Sequence, residues 1–233
     1  MEVRRLAVMG ALGCVIAAAW GYLLLGAGVT PQMPDMPDMT DMAWSGGHAL
    51  VVFTMWAVMM AAMMLPGAAS AIAARGAVFG VGYIIVWAGF GAGATVLQWG
   101  LERAGALSAA MGLRSAPLAA LVVACIGIYQ LTPLKSACLR YCCSEAGMSV
   151  HGVGAGIRAT IARGMQHGLY CVGCCWALMM LLFVGGVMNL VWAAAVTFFV
   201  LAERMLPRHL VLVRAAGVAL ILFGTVARLG SAS

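Results

Sequence analysis

The feature that most constrains this chain is a succession of apolar runs, most of them long enough to cross a bilayer. About 20 residues of helix cover the roughly 30 Å of hydrocarbon. Seven runs approach or exceed that length, at about 6–28, 49–70, 77–101, 117–134, 169–187, 190–203 and 210–228. Lipid offers no partner for backbone N–H and C=O groups, so each must be a helix. The expectation is an all-α, polytopic transmembrane helix bundle of about seven spans. It becomes six if the apolar run over 169–203 is not divided at Gly185-Gly186 and Asn189. Only 9% of the residues are charged and 64% are hydrophobic. A soluble domain carries about 25% charged residues, so that class is excluded.

The charge that remains reads as topology. The net charge is +6, with the basic residues placed singly between apolar runs, as positive-inside determinants and anionic-lipid contacts are. This pattern points to membrane lipid and away from nucleic acid. With the N-terminus in the cytoplasm, Arg4, Arg5, Arg75, Lys135, Arg140, Arg158, Arg163, Arg204 and Arg208 are internal, with Arg214 near the inner end of the last span. Arg103, Arg114 and Arg228 are external. The localisation that follows is a bacterial inner membrane, crossed several times. Residues 1–28 are expected to form a retained anchor helix and 29–47 an external loop. The membrane domain then occupies 48–233, with an internal loop over 135–168 that includes a surface amphipathic helix near Ile157–Gln166. Gly89, Gly91 and Gly93 are expected to permit close helix contact. Glu102 and Glu203 fall at span ends, so no carboxylate is expected inside the membrane and proton-driven pumping is disfavoured.

Soft donors are abundant: 18 Met and 8 Cys against 4 His. In the external loop Met33, Met36, Met39 and Met42 recur every third residue, with Asp35, Asp38 and Asp41 between them. Pro34 and Pro37 exclude a regular helix, and a polyproline-like strand with three residues per turn would align the thioethers. In the second span Met55, Met59 and Met63 lie at i, i+4 and i+8, and Met60 and Met64 form an adjacent column. His48 stands at the mouth of that helix. Methionine is also an ordinary packing residue, so this stripe reads equally as core or as a metal path.

The cysteines are the most specific signal. Cys138, Cys142 and Cys143 follow the fourth span, and the fifth opens with Cys171, Cys174 and Cys175, extended one turn deeper by Met179. Both groups are expected at the inner face, where a reducing cytosol disfavours disulfides and thiols bind metal or do redox work. His151 and His167 fall in the same internal segment. Thiolate and thioether donors select Cu(I), whereas zinc calls on imidazole and carboxylate.

Three segments carry a family resemblance. They are Met59-Met60-Ala61-Ala62-Met63-Met64-Leu65-Pro66, then Tyr129-Gln130-Leu131-Thr132-Pro133-Leu134-Lys135 leading to Cys138, then Tyr170-Cys171-Val172-Gly173-Cys174-Cys175-Trp176 with Gly186-Val187-Met188-Asn189. Together they resemble a bacterial family of predicted metal-binding integral membrane proteins, a domain of unknown function whose members are sometimes labelled copper chaperones. The likeness covers roughly residues 45–228. It departs at Glu145, where the pattern leads one to expect Pro. Met-x-x-x-Met within a span is also similar, by analogy of site alone, to eukaryotic copper transporters.

The reading is a Cu(I)-binding membrane protein that captures, transports or delivers copper, without catalysis. Its partners would be a copper donor or acceptor protein, a second copy of the chain, or a larger membrane complex. Two alternatives stand beside it. One is a membrane thiol-disulfide oxidoreductase built on Cys171-Val172-Gly173-Cys174, and the other a non-catalytic subunit or assembly factor of a membrane complex.

Overall fold

The computed structural model describes residues 2–25, 44–108, 110–143, 156–206 and 209–230. The structure among them is helical: α1 (Glu2–Leu24), α2 (Gly46–Arg75), α3 (Ala77–Arg103), α4 (Ala116–Gln130), α5 (Pro133–Cys143), α6 (Ile157–Met179), α7 (Leu181–Gly185), α8 (Leu190–Met205) and α9 (His209–Gly230). The chain forms two compact units, residues 1–100 with 145–172 and residues 101–144 with 173–233. Helix α6 therefore contributes its first part to one unit and its end to the other.

Among the described residues, five helical stretches are long and apolar enough to cross a membrane: Leu6–Leu24, Gly46–Arg75, Ala77–Arg103, Ile157–Gly185 and Leu210–Leu229. A sixth arises if α4 and α5, bent by 64° at Leu131-Thr132, act as one broken span. The all-α membrane bundle expected from the apolar runs is thus what the chain forms. Two details differ. The run expected at 190–203 is the 16-residue α8, which falls short of the other spans. The surface helix expected at Ile157–Gln166 is instead the first half of α6, continuous with the Cys-bearing run. No proline stands between Gln166 and Tyr170, and the single Gly168 does not interrupt the hydrogen bonding that propagates through.

In the first unit, Ser45 caps α2 by accepting from the His48 N–H at 3.2 Å. Pro66 lies within α2. Helices α3 and α6 approach to backbone contact, because a methyl group on Gly82 would strike the Ile161 carbonyl oxygen and one on Gly164 the Phe79 carbonyl oxygen. Such small-residue crossings are how membrane helices gain packing without a hydrophobic driving force. Of the three glycines expected to act this way, Gly91 faces the Ala57 backbone, while Gly89 and Gly93 face open space.

In the second unit, α4 packs most extensively against α9, through Gly127 and Gly217, where added side chains would meet opposing backbone at 2.7 Å and 3.0 Å. The turn expected around Gly185-Gly186 and Asn189 is present. Gly186 adopts φ +89, a left-handed conformation that glycine reaches without cost. The Asn189 side chain then caps α8 by accepting from the Trp192 N–H at 3.1 Å. Trp192 Nε1 ties the turn back by donating to the Leu181 carbonyl at 2.7 Å.

Candidate metal centre

The methionine stripe of α2 is interior. Met55, Met59, Met60, Met63 and Met64 are all buried, none more than 2% exposed. The i, i+4 spacing and the adjacent column turn both rows inward. Trp56, between them, is fixed by donation from Nε1 to Gln98 Oε1 at 2.8 Å. His48 is buried at the start of the helix, its ring edge-on to Trp44 at 4.8 Å.

Cys171 belongs to this same unit. Its Sγ lies 3.1 Å from the Tyr83 hydroxyl, which also lies 3.1 Å from the Met64 carbonyl and donates to it. A phenol has one proton to give. With that proton on Met64, the Cys171 S–H donates to the Tyr83 oxygen, so a buried thiol and a buried phenol satisfy one another. His167, one turn before Cys171, is buried as well, with its ring 5.7 Å from Phe79 and 5.9 Å from Tyr83. Tyr83 carried no sequence signal. His167 had one, its i, i+4 offset from Cys171.

The second unit holds the other thiols of the two cysteine groups. Cys174 and Cys175 are buried with their sulfurs 3.3 Å apart. Cys138, on α5, is buried with its Sγ against Gly173, so close that a side chain there would meet it at 2.9 Å. Tyr129 donates to the Gly173 carbonyl and stacks edge-on with Trp176 at 5.0 Å. Met179 is fully buried one turn beyond Cys175. Cys142 is half-buried.

An ion pair stands beside these thiols. Lys135 Nζ lies 2.8 Å from Glu203 Oε2, with side chains 0% and 3% exposed. Gln130 donates to Glu203 Oε1 at 2.9 Å. Glu203 is within electrostatic reach of Cys174. This corrects the expectation that no carboxylate is buried. Helix α8 ends at Met205, and Glu203 sits on its inward face, where only tertiary packing reveals Lys135 as its partner.

Among the described residues, no three His, Cys, Asp or Glu side chains converge as a metal site would require. What the fold brings together is smaller and softer: a thiol pair with a third thiol on the adjacent residue's backbone, and separately a thiol beside a methionine-lined helix. That donor set suits Cu(I), which is content with few sulfur ligands, and suits zinc poorly. Met33, Met36, Met39, Met42 and His151 lie outside the described residues, as does the Cys143 side chain.

Fold and interior define a helical membrane protein whose buried helices carry thioethers and thiols. The chain belongs to the PpoB2 family, described as copper chaperone, which matches residues 53–227. That range holds the α2 methionines, both cysteine groups and the Lys135–Glu203 pair. The chain matches no curated protein and no solved structure.

Proposed function

We propose that this protein binds Cu(I) as cargo within the membrane and captures, carries or hands it on through methionine and cysteine sulfur. The observation that carries this reading is the buried Cys174–Cys175 pair with Cys138 beside it, in a chain of a copper-chaperone family. Thiols so placed are shielded from water, and their exchange of two protons for one soft cation is favourable. The α2 thioethers, being weaker neutral donors, suit passage more than storage. Met33, Met36, Met39 and Met42 would collect the ion on the outer side, with His48 at the entrance. Cys142 and Cys143 stand near the exit to an acceptor. This assignment uses an inner-membrane location with the N-terminus cytoplasmic, so copper would arrive outside and meet thiolates inside.

Burial argues against thiol-disulfide exchange. Cys171 and Cys174 are 0% and 2% exposed, whereas exchange requires in-line access to a sulfur.

The test is an anaerobic Cu(I) titration of the detergent-purified protein against a calibrated chelator, beside the Cys174→Ser/Cys175→Ser variant. Tight binding in the parent and its loss in the variant, by more than the roughly 10–100-fold that changes to outer-shell partners alone cost, is the expected result. Equal affinity in both would refute the assignment.

A further inference from the structure

The Lys135–Glu203 pair offers copper no sulfur ligand, yet an ion pair inside a membrane protein is costly and usually functional. Its position suggests what it does. Lys135 and Cys138 are i, i+3 on α5, neighbours on one face. Cys138 rests on Gly173, and Cys174 follows. When Cu(I) replaces the protons of two thiols, a bis-thiolate with one net negative charge is left in a dry site, which costs several kcal/mol if uncompensated.

We infer that Glu203 is the proton acceptor that keeps Cu(I) loading electroneutral, releasing Lys135 to serve as counter-charge to the copper thiolate. This inference rests on the Cu(I) reading above. Before loading, the ammonium and carboxylate neutralise one another. Cu(I) enters with one positive charge and two S–H bonds break as two Cu–S bonds form. One proton goes to Glu203, giving a neutral acid, and the other leaves to solvent. The ammonium then faces the singly negative bis-thiolate, and the site is neutral again.

Gln130 is suited to this exchange. Its Nε2 donates to the carboxylate, while its buried Oε1 has no partner among the described residues. Once Glu203 is protonated, rotation of the amide presents Oε1 as the acceptor for the new O–H, a reversal that a fixed donor could not make. The other groups around Glu203 leave it this role. Helix α5 brings Lys135 and α4 brings Gln130, both hydrogen-bonded to the carboxylate, and α6 brings Cys174 within electrostatic reach. Helix α7 carries no ionisable side chain. On α9, Arg214 is exposed and Arg228, also exposed, donates to the Pro117 carbonyl. Arg204 follows Glu203 on its own helix.

The experiment counts protons released per Cu(I) bound, in weak buffer with an indicator dye, for the parent and for Lys135→Met/Glu203→Gln. Both charges are removed together so that neither is left buried alone. The parent should release one proton and the double variant two, with at least tenfold weaker Cu(I) binding. Infrared difference spectra of the parent should gain a neutral carboxylic acid band on loading. Two protons from the parent, or no such band, would overturn the inference. Should the double variant fail to fold, the parent's proton count and spectrum decide alone. Copper binding unaffected by Cys174→Ser/Cys175→Ser would instead indict the Cu(I) reading itself.

Discussion

Individual side chains show how polar chemistry is tolerated in an apolar interior. The Cys171 thiol and the Tyr83 phenol each complete the other's hydrogen bonding, with the Met64 carbonyl as terminus. Removing the phenol oxygen takes away the partner that lies 3.1 Å from the Cys171 sulfur and the donor to the Met64 carbonyl. Tyr83→Phe should therefore lower stability by about 1–3 kcal/mol, read from thermal unfolding in detergent, and should quicken Cys171 alkylation. The Lys135–Glu203 pair has a sharper asymmetry. Lys135→Met alone strands a carboxylate and should cost about 3–5 kcal/mol, whereas the double change with Glu203→Gln should leave stability near that of the parent. Comparable losses in single and double variants would mean the pair acts otherwise than as a compensated buried charge.

At the level of elements, glycine decides which helices can touch. The α3–α6 crossing runs through Gly82 and Gly164, where opposing carbonyl oxygens occupy the space a side chain would need. Gly82→Leu must push the helices apart and should destabilise the protein by at least about 1–3 kcal/mol, the cost of overpacking. Gly89→Leu, facing open space, should be near neutral. Size-exclusion profiles of the two variants in detergent, before and after heating, distinguish them. The Met-x-x-x-Met spacing was readable at this scale because helical periodicity alone puts those residues on common faces. That the face is interior depended on which helix lies opposite.

For the whole molecule, the number of crossings turns on α8. Helix α8 spans about 24 Å at 1.5 Å per residue, a little short of the roughly 30 Å core. Arg204 and Arg208 at its end nonetheless favour an internal terminus there under the positive-inside rule. A reporter fused after Ser233 should then lie outside, as seven crossings from an internal N-terminus require. A cytoplasmic reporter would instead mean that α8 does not cross and that the spans number six. The same fusion series at residues 29–47 checks whether the Met-Asp loop faces outward, as copper capture requires.

What the sequence determined by itself was the helical membrane class, the positions of most spans, the Asn189 turn and the abundance of soft donors. These depend on local quantities: hydropathy over a span length, helical periodicity, breaker residues and donor type. Tertiary structure decided the rest. It ran α6 through the expected surface helix, set Cys138 on Gly173, seated Cys171 on Tyr83 and joined Lys135 to Glu203 across 68 residues of chain. An isolated acid near a span end looks like an interfacial residue in sequence. Only the packing of α5 against α8 turns it into a buried carboxylate with a counter-ion, because burial is a property of neighbours that the sequence brings from far away.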